Sequence, residues 1–225
     1  MIGFGVSTTL SWDASQQGAM DVLVIEADLA IGIAVDWLVR HPFQGPSLGA
    51  YLRQPAVRPA FPRPIDQKLA TRGKQLFEDQ CAQCHGHYAP DGRAIDYTKQ
   101  VVPLEDLKTD PARAFAPTET FELAANAAGG GITTFKRTGG YVPPVLTNVW
   151  MRAPYGHAGQ WASLAVIATP PEKRTASAYD LDAPYDLEQV GVVVRGSAKL
   201  DVGGHSFLAD LGRDAPAVIE YLKSL

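Results

Sequence analysis

The sequence predicts a mainly α-helical fold with long loops and an N-terminal helical and extended arm. Two apolar-striped stretches, Asp66 to Asp79 and Ala215 to Leu225, have the spacing of helices that pack together. The 21 glycines and 17 prolines among 225 residues require much loop between short helices. Because 46% of the residues are apolar, those loops belong to a folded chain rather than a disordered one.

Residues 1–64 read as the arm. Ser11-Trp12-Asp13 marks a turn or a helix start, and a helix is expected from Met20 to Val39. That stretch carries Asp21, Glu26, Asp28 and Asp36, whose carboxylates are costly at a bilayer centre, so it reads as a half-buried helix and not a membrane span. Met1-Ile2-Gly3-Phe4 lacks the basic start of a secretion signal, so if the chain works outside the inner membrane its signal, or a whole upstream domain, is expected to precede it. Pro42, Pro46, Pro55, Pro59, Pro62 and Pro64 predict an extended, packed connector from His41 to Pro64.

Residues 65–225 form the second region. Asp66 is expected to cap a helix through Asp79, with Leu69, Gly73, Leu76 and Phe77 on one face. Gly73 leaves room for a second helix to approach closely. That second helix is expected over Ala215 to Leu225, with Val218, Ile219, Leu222 and Leu225 inward and Tyr221 reaching the first. Between them, Val101-Val102-Pro103-Leu104 reads as a strand or turn. A helix from Pro117 to Ala128 is stopped by Gly129-Gly130-Gly131.

Chemistry concentrates in Cys81-Ala82-Gln83-Cys84-His85, the C-x-x-C-H pattern of covalent haem attachment. Two thiols on one turn each add across a vinyl arm of the haem, and the adjacent imidazole then lies under the iron. These are the only two cysteines, so neither a disulfide nor a four-cysteine metal site competes for them. One covalently attached haem c per chain is therefore expected. The formal charge of −4 and the lack of a basic block offer nothing to nucleic acid. Asp180, Asp182 and Asp186 form an acidic loop that lacks the glycine and glutamate spacing of a calcium loop.

Two terminal helices crossing beside C-x-x-C-H resemble the class I cytochrome c fold. The run Leu146 to Gly159, with Pro154-Tyr155-Gly156-His157-Ala158-Gly159, resembles a segment of di-haem cytochrome c peroxidases. Lys173-Arg174 and Gly204-His205-Ser206-Phe207 resemble a divergent branch that includes the bacterial rubber oxygenases. The resemblance covers most of residues 66–225, and residues 1–64 look like the bridge that follows a first haem domain. It implies a cytochrome c-like haem domain with long loop insertions, residing in the periplasm or another extracytoplasmic space. The expected partner is a redox protein or an upstream haem domain. Those peroxidases carry two C-x-x-C-H motifs and this chain carries one, so what is present looks like their C-terminal, electron-transfer haem domain.

The second axial ligand decides what such a haem can do. His87 is too near His85 to reach the far face, and His41 reaches it only if the arm folds over. His157 borders the haem in the resembling family, and Met151 is a further candidate, although packing beside Trp150 explains it as well. His205 lies in a loop before the last helix, and the rubber-oxygenase-like branch implies a histidine ligand there. Arg152 and Lys173 or Arg174 are candidates to pair with haem propionates, and Tyr155 and Trp161 to line the haem edge. Electron carriage by a bis-histidine haem is the favoured function. A haem-dependent peroxidase or oxygenase, or the electron-transfer domain of one, is the alternative.

Overall fold

In the computed structural model the described residues are 9–10, 13–17, 40–52, 59–97, 100–128, 134–180 and 182–225. The helix expected over Met20 to Val39 and the turn at Ser11-Trp12 lie outside them, apart from Asp13. The described chain is mainly helical. Its helices are α1 (Gln44–Leu52), α2 (Gln67–Gln80), α3 (Ala82–His85), α4 (Leu104–Leu107), α5 (Ala112–Phe115), α6 (Glu119–Ala128), α7 (Leu164–Ile167) and α8 (Ala215–Leu222). Five two-residue strands accompany them, β1 (Thr9–Leu10), β2 (Gln16–Gln17), β3 (Val102–Pro103), β4 (Thr134–Phe135) and β5 (Gly140–Tyr141). Short 3-10 turns precede α8 from Ser206 to Asp214 and cover Val149–Met151 and Pro171–Lys173. Among the described residues no helix is long and apolar enough to cross a membrane.

Residue contacts divide the chain into two units. The first holds the described parts of 1–57, 101–103 and 111–143. Here β1, β2 and β4 form an antiparallel sheet in that order, and β3 pairs with β5. Asn126 on α6 closes a double hydrogen bond with the backbone of Phe135 on β4, donating to its carbonyl at 2.9 Å and accepting its N–H at 2.8 Å. Extended chain was expected from His41 to Pro64, but Gln44–Leu52 is helical. Pro46 falls in the first turn of α1, where a backbone N–H has no partner within the helix, so the proline costs it no bond.

The second unit holds the described parts of 58–100, 104–110 and 144–225 and contains the main core. The Asp66 carboxylate caps α2 by accepting from the N–H groups of Lys68 and Leu69, both at 3.0 Å. Helices α2 and α8 cross at Gly73, where an added Cβ would lie 1.8 Å from the Ala217 carbonyl oxygen. No residue but glycine permits that approach. Phe77 is buried at the crossing, with ring centroids 5.3 Å from Tyr221 and 5.9 Å from Tyr88. Val218, Leu222 and Leu225 are buried as expected and Ile219 is half-buried. Leu69 is the exception: it is exposed, and Ala70 takes the inward position. The Glu220 carboxylate accepts from the Asp66 N–H at 2.8 Å and pairs with Lys223 at 2.6 Å, fastening the start of α2 to α8.

Candidate functional site

Cys81 ends α2 and begins α3, with φ −120° and ψ −32°. The single turn of α3 returns the N–H groups of Cys84 and His85 to the Cys81 carbonyl at 3.1 and 3.0 Å. Both thiols and the imidazole therefore belong to one rigid turn. Gly86 ends it at φ +76°, where a Cβ would meet Tyr97 Cα at 2.9 Å. Both cysteines are free thiols. Burial, helped by the neighbouring Cys84, pushes the Cys81 thiol up to about 11. Burial raises Cys84 as well, against a hydrogen bond from Gln100 that lowers it.

His85 is fixed from two directions. Its Nδ1 lies 2.9 Å from the Pro144 carbonyl oxygen, an acceptor only, so Nδ1 carries the proton and Nε2 presents a lone pair. Its own carbonyl accepts the Tyr88 hydroxyl at 2.8 Å, and that hydroxyl accepts the Leu146 N–H at 2.7 Å. Burial holds the imidazole below the ordinary histidine pKa.

The His205 ring stands opposite, 6.2 Å from His85 centroid to centroid and inclined by 64°. Its backbone is left-handed at φ 44° and ψ 56°, and its N–H donates to the Leu107 carbonyl at 2.8 Å. Gly204 before it comes so close to α4 that a Cβ would lie 2.5 Å from both Leu107 O and Thr109 N. The rings of Trp161 and Phe207 flank the imidazole at 5.8 and 5.4 Å. Burial first, then His85 and Arg174, lowers the His205 pKa to about 4. Both imidazoles are thus neutral at neutral pH, the form that binds a metal. His205 Nδ1 is buried and has no hydrogen-bond partner.

The other candidates separate clearly. Arg152 is half-buried, donates through Nη2 to the Val145 carbonyl, and keeps Nε buried without a partner. Burial lowers its pKa, and none of the ion pairs among the described residues includes it. Trp161 stands beside His205 and donates its indole N–H to the Val202 carbonyl at 2.9 Å. The Tyr155 hydroxyl donates toward the Val149 and Val190 carbonyls at 3.0 and 3.2 Å, which makes it a strut of the core. His157 is half-buried, and burial lowers its pKa against the opposing pull of Asp110 and Asp201.

Met151 was expected to pack beside Trp150, yet it is exposed. Arg174, expected to be available for propionates, is buried with its guanidinium bonded to backbone carbonyls. Lys173 is exposed. His87 bridges Asp96 at 2.8 Å and Glu78 at 3.1 Å, away from the imidazole pair. The acidic loop uses its carboxylates on its own turns: Asp186 accepts the N–H groups of Glu188 and Gln189, and Asp180 that of Asp182. Among the described residues no cluster of three or more His, Cys, Asp or Glu side chains could hold a bare metal ion.

No protein-family model matches the chain. An uncharacterized protein of Sinorhizobium fredii is 29% identical over 167 residues, covering 60% of this chain and 36% of the relative. The chain therefore matches little more than a third of that relative's length.

Proposed function

We propose that this chain is a c-type cytochrome that carries single electrons through one covalently attached, bis-histidine haem. The observation that carries the reading is the His85–His205 pair, 6.2 Å between ring centroids, beside two free thiols on the His85 turn. Metal–imidazole bonds of about 2 Å plus the ring radii put the centres of two axial imidazoles about 6 Å apart. The spacing suits one metal between the rings, and the donor set of two thiols and two neutral imidazoles suits haem c. Haem held there would supply an iron that changes by one electron.

In this reading Cys81 and Cys84 anchor the group and His85 is the proximal ligand. Pro144, through its carbonyl, keeps the His85 lone pair on Nε2. His205 closes the second face, and Trp161 and Phe207 shield it from water. Arg152 is the candidate propionate partner, because a buried guanidinium with an unpaired Nε is costly until an anion reaches it. The α2–α8 crossing at Gly73 and its place beside the motif support a cytochrome c-like domain. We further propose an extracytoplasmic location, with a redox protein or an upstream haem domain as partner.

The resting-state absorption and electron paramagnetic resonance spectra test this. Bis-histidine ligation gives low-spin ferric iron, and the haem stays with the denatured chain in acidified organic solvent. Haem that extracts freely from intact protein would refute the attachment. High-spin iron would refute the second ligand and point to peroxide or oxygen chemistry instead.

A further inference from the structure

Arg174 is a buried cation, 7% exposed, whose neighbours Glu172 and Asp210 act on it only at a distance. It satisfies its donors on the backbone instead. Nε donates to Thr169 O at 2.8 Å. Nη1 donates to Gly204 O at 2.6 Å and Val202 O at 3.2 Å, and Nη2 to Ile167 O at 2.9 Å and His205 O at 3.2 Å. All five N–H donors of the guanidinium are in use.

The acceptors fall into two groups. Ile167 and Thr169 are at the end of α7, where helix carbonyls lack intrahelical partners. Val202, Gly204 and His205 lie in the loop that presents the imidazole. Three carbonyls converging on one point repel each other, and Gly204 and His205 both have positive φ. A local sequence preference does not hold such a loop, whereas a fork of charged donors does. The guanidinium also stacks on Trp161 at 5.4 Å, and Trp161 in turn touches both Val202 O and the His205 ring.

We infer that Arg174 is the positioning residue for His205: a guanidinium clamp that fixes the imidazole's loop to the end of α7 and sets how slowly the distal face opens. The inference rests on the reading of His205 as axial ligand. A lysine at 174 keeps the charge but has three donors and no planar fork, so it cannot serve both groups of carbonyls at once.

The test is cyanide binding to the ferric holoprotein, followed to saturating cyanide, where departure of His205 limits the rate. Arg174→Lys should raise that limiting rate by about tenfold or more, the effect of losing at least one charge-assisted hydrogen bond. Asp66→Ala, which weakens the same unit at the distant α2 cap, should leave it within about twofold of wild type. A limiting rate that Arg174→Lys leaves unchanged, or that Asp66→Ala raises equally, overturns the clamp. Wild-type binding that never saturates overturns the axial role of His205 itself. Should the lysine variant not fold, wild type still decides the matter through hydrogen exchange at Arg174 Nε–H. Exchange within about tenfold of the limiting cyanide rate supports the clamp, because the opening that frees His205 must break these bonds. A guanidinium that exchanges far faster or far slower than His205 leaves overturns it.

Discussion

In haem-free chain the Cys81 thiol, raised to about 11, is protonated at neutral pH. Its alkylation at pH 8 should be slower than that of an ordinary cysteine by about a hundredfold, and should climb with pH until about 11. Peptide mass spectrometry after timed iodoacetamide treatment reads this. If His205 is the second ligand as proposed, His205→Ala should open the distal face of the haem-loaded protein and convert low-spin to high-spin iron, while His85 and the proposed thioethers retain the haem. Near-infrared magnetic circular dichroism checks it: a bis-histidine spectrum persisting in the variant would remove His205 from the site. That Cys81, Cys84 and His85 share one turn was legible because they lie within five consecutive residues. That the His205 ring stands opposite His85 was foreseeable only through the resemblance, since a lone histidine in a loop has no spacing of its own. The burial of Arg174 was not legible, because a cation with five carbonyl partners has the same sequence appearance as a cation facing solvent.

At the scale of elements, the α2–α8 crossing carries the sharpest prediction. Gly73→Ala puts a Cβ against the Ala217 carbonyl and forces the helices apart. A loss of about 1–3 kcal/mol or more is expected, read from the midpoint of denaturant unfolding. Asp66→Ala removes the α2 cap and should cost about 1 kcal/mol in the same experiment. Both features were readable beforehand, because a glycine amid a helical apolar stripe and an acid just before it each have one common cause. The exposure of Leu69 was not readable. The apolar stripe of α2 fixes which side faces α8 only to within a residue, and the smaller Ala70 takes the contact. Helix α1 was hidden by Pro46, since a proline reads as a breaker unless the helix start is known.

For the molecule as a whole, the proposed ligation of one haem iron by both His85 and His205 argues for electron exchange over turnover. Reduced holoprotein should pass its electron to a small redox protein while consuming little hydrogen peroxide, which stopped-flow absorbance and a peroxide electrode together report. Rapid, saturable peroxide consumption would reverse the reading. The bond from Asp66 N–H to Glu220 spans 154 positions. Closing so long a loop makes docking of the two helices a late event with a substantial entropic barrier. The thiol-bearing turn needs only its own few residues. On the proposed haem attachment, its two sulfurs would react while the rest of the chain is still an open coil, and the tethered group would give the distant loop and the last helix an apolar nucleus to condense on. Attachment would in this way precede folding, and chain made without haem should fold slowly, with α2 and α8 the last parts to meet.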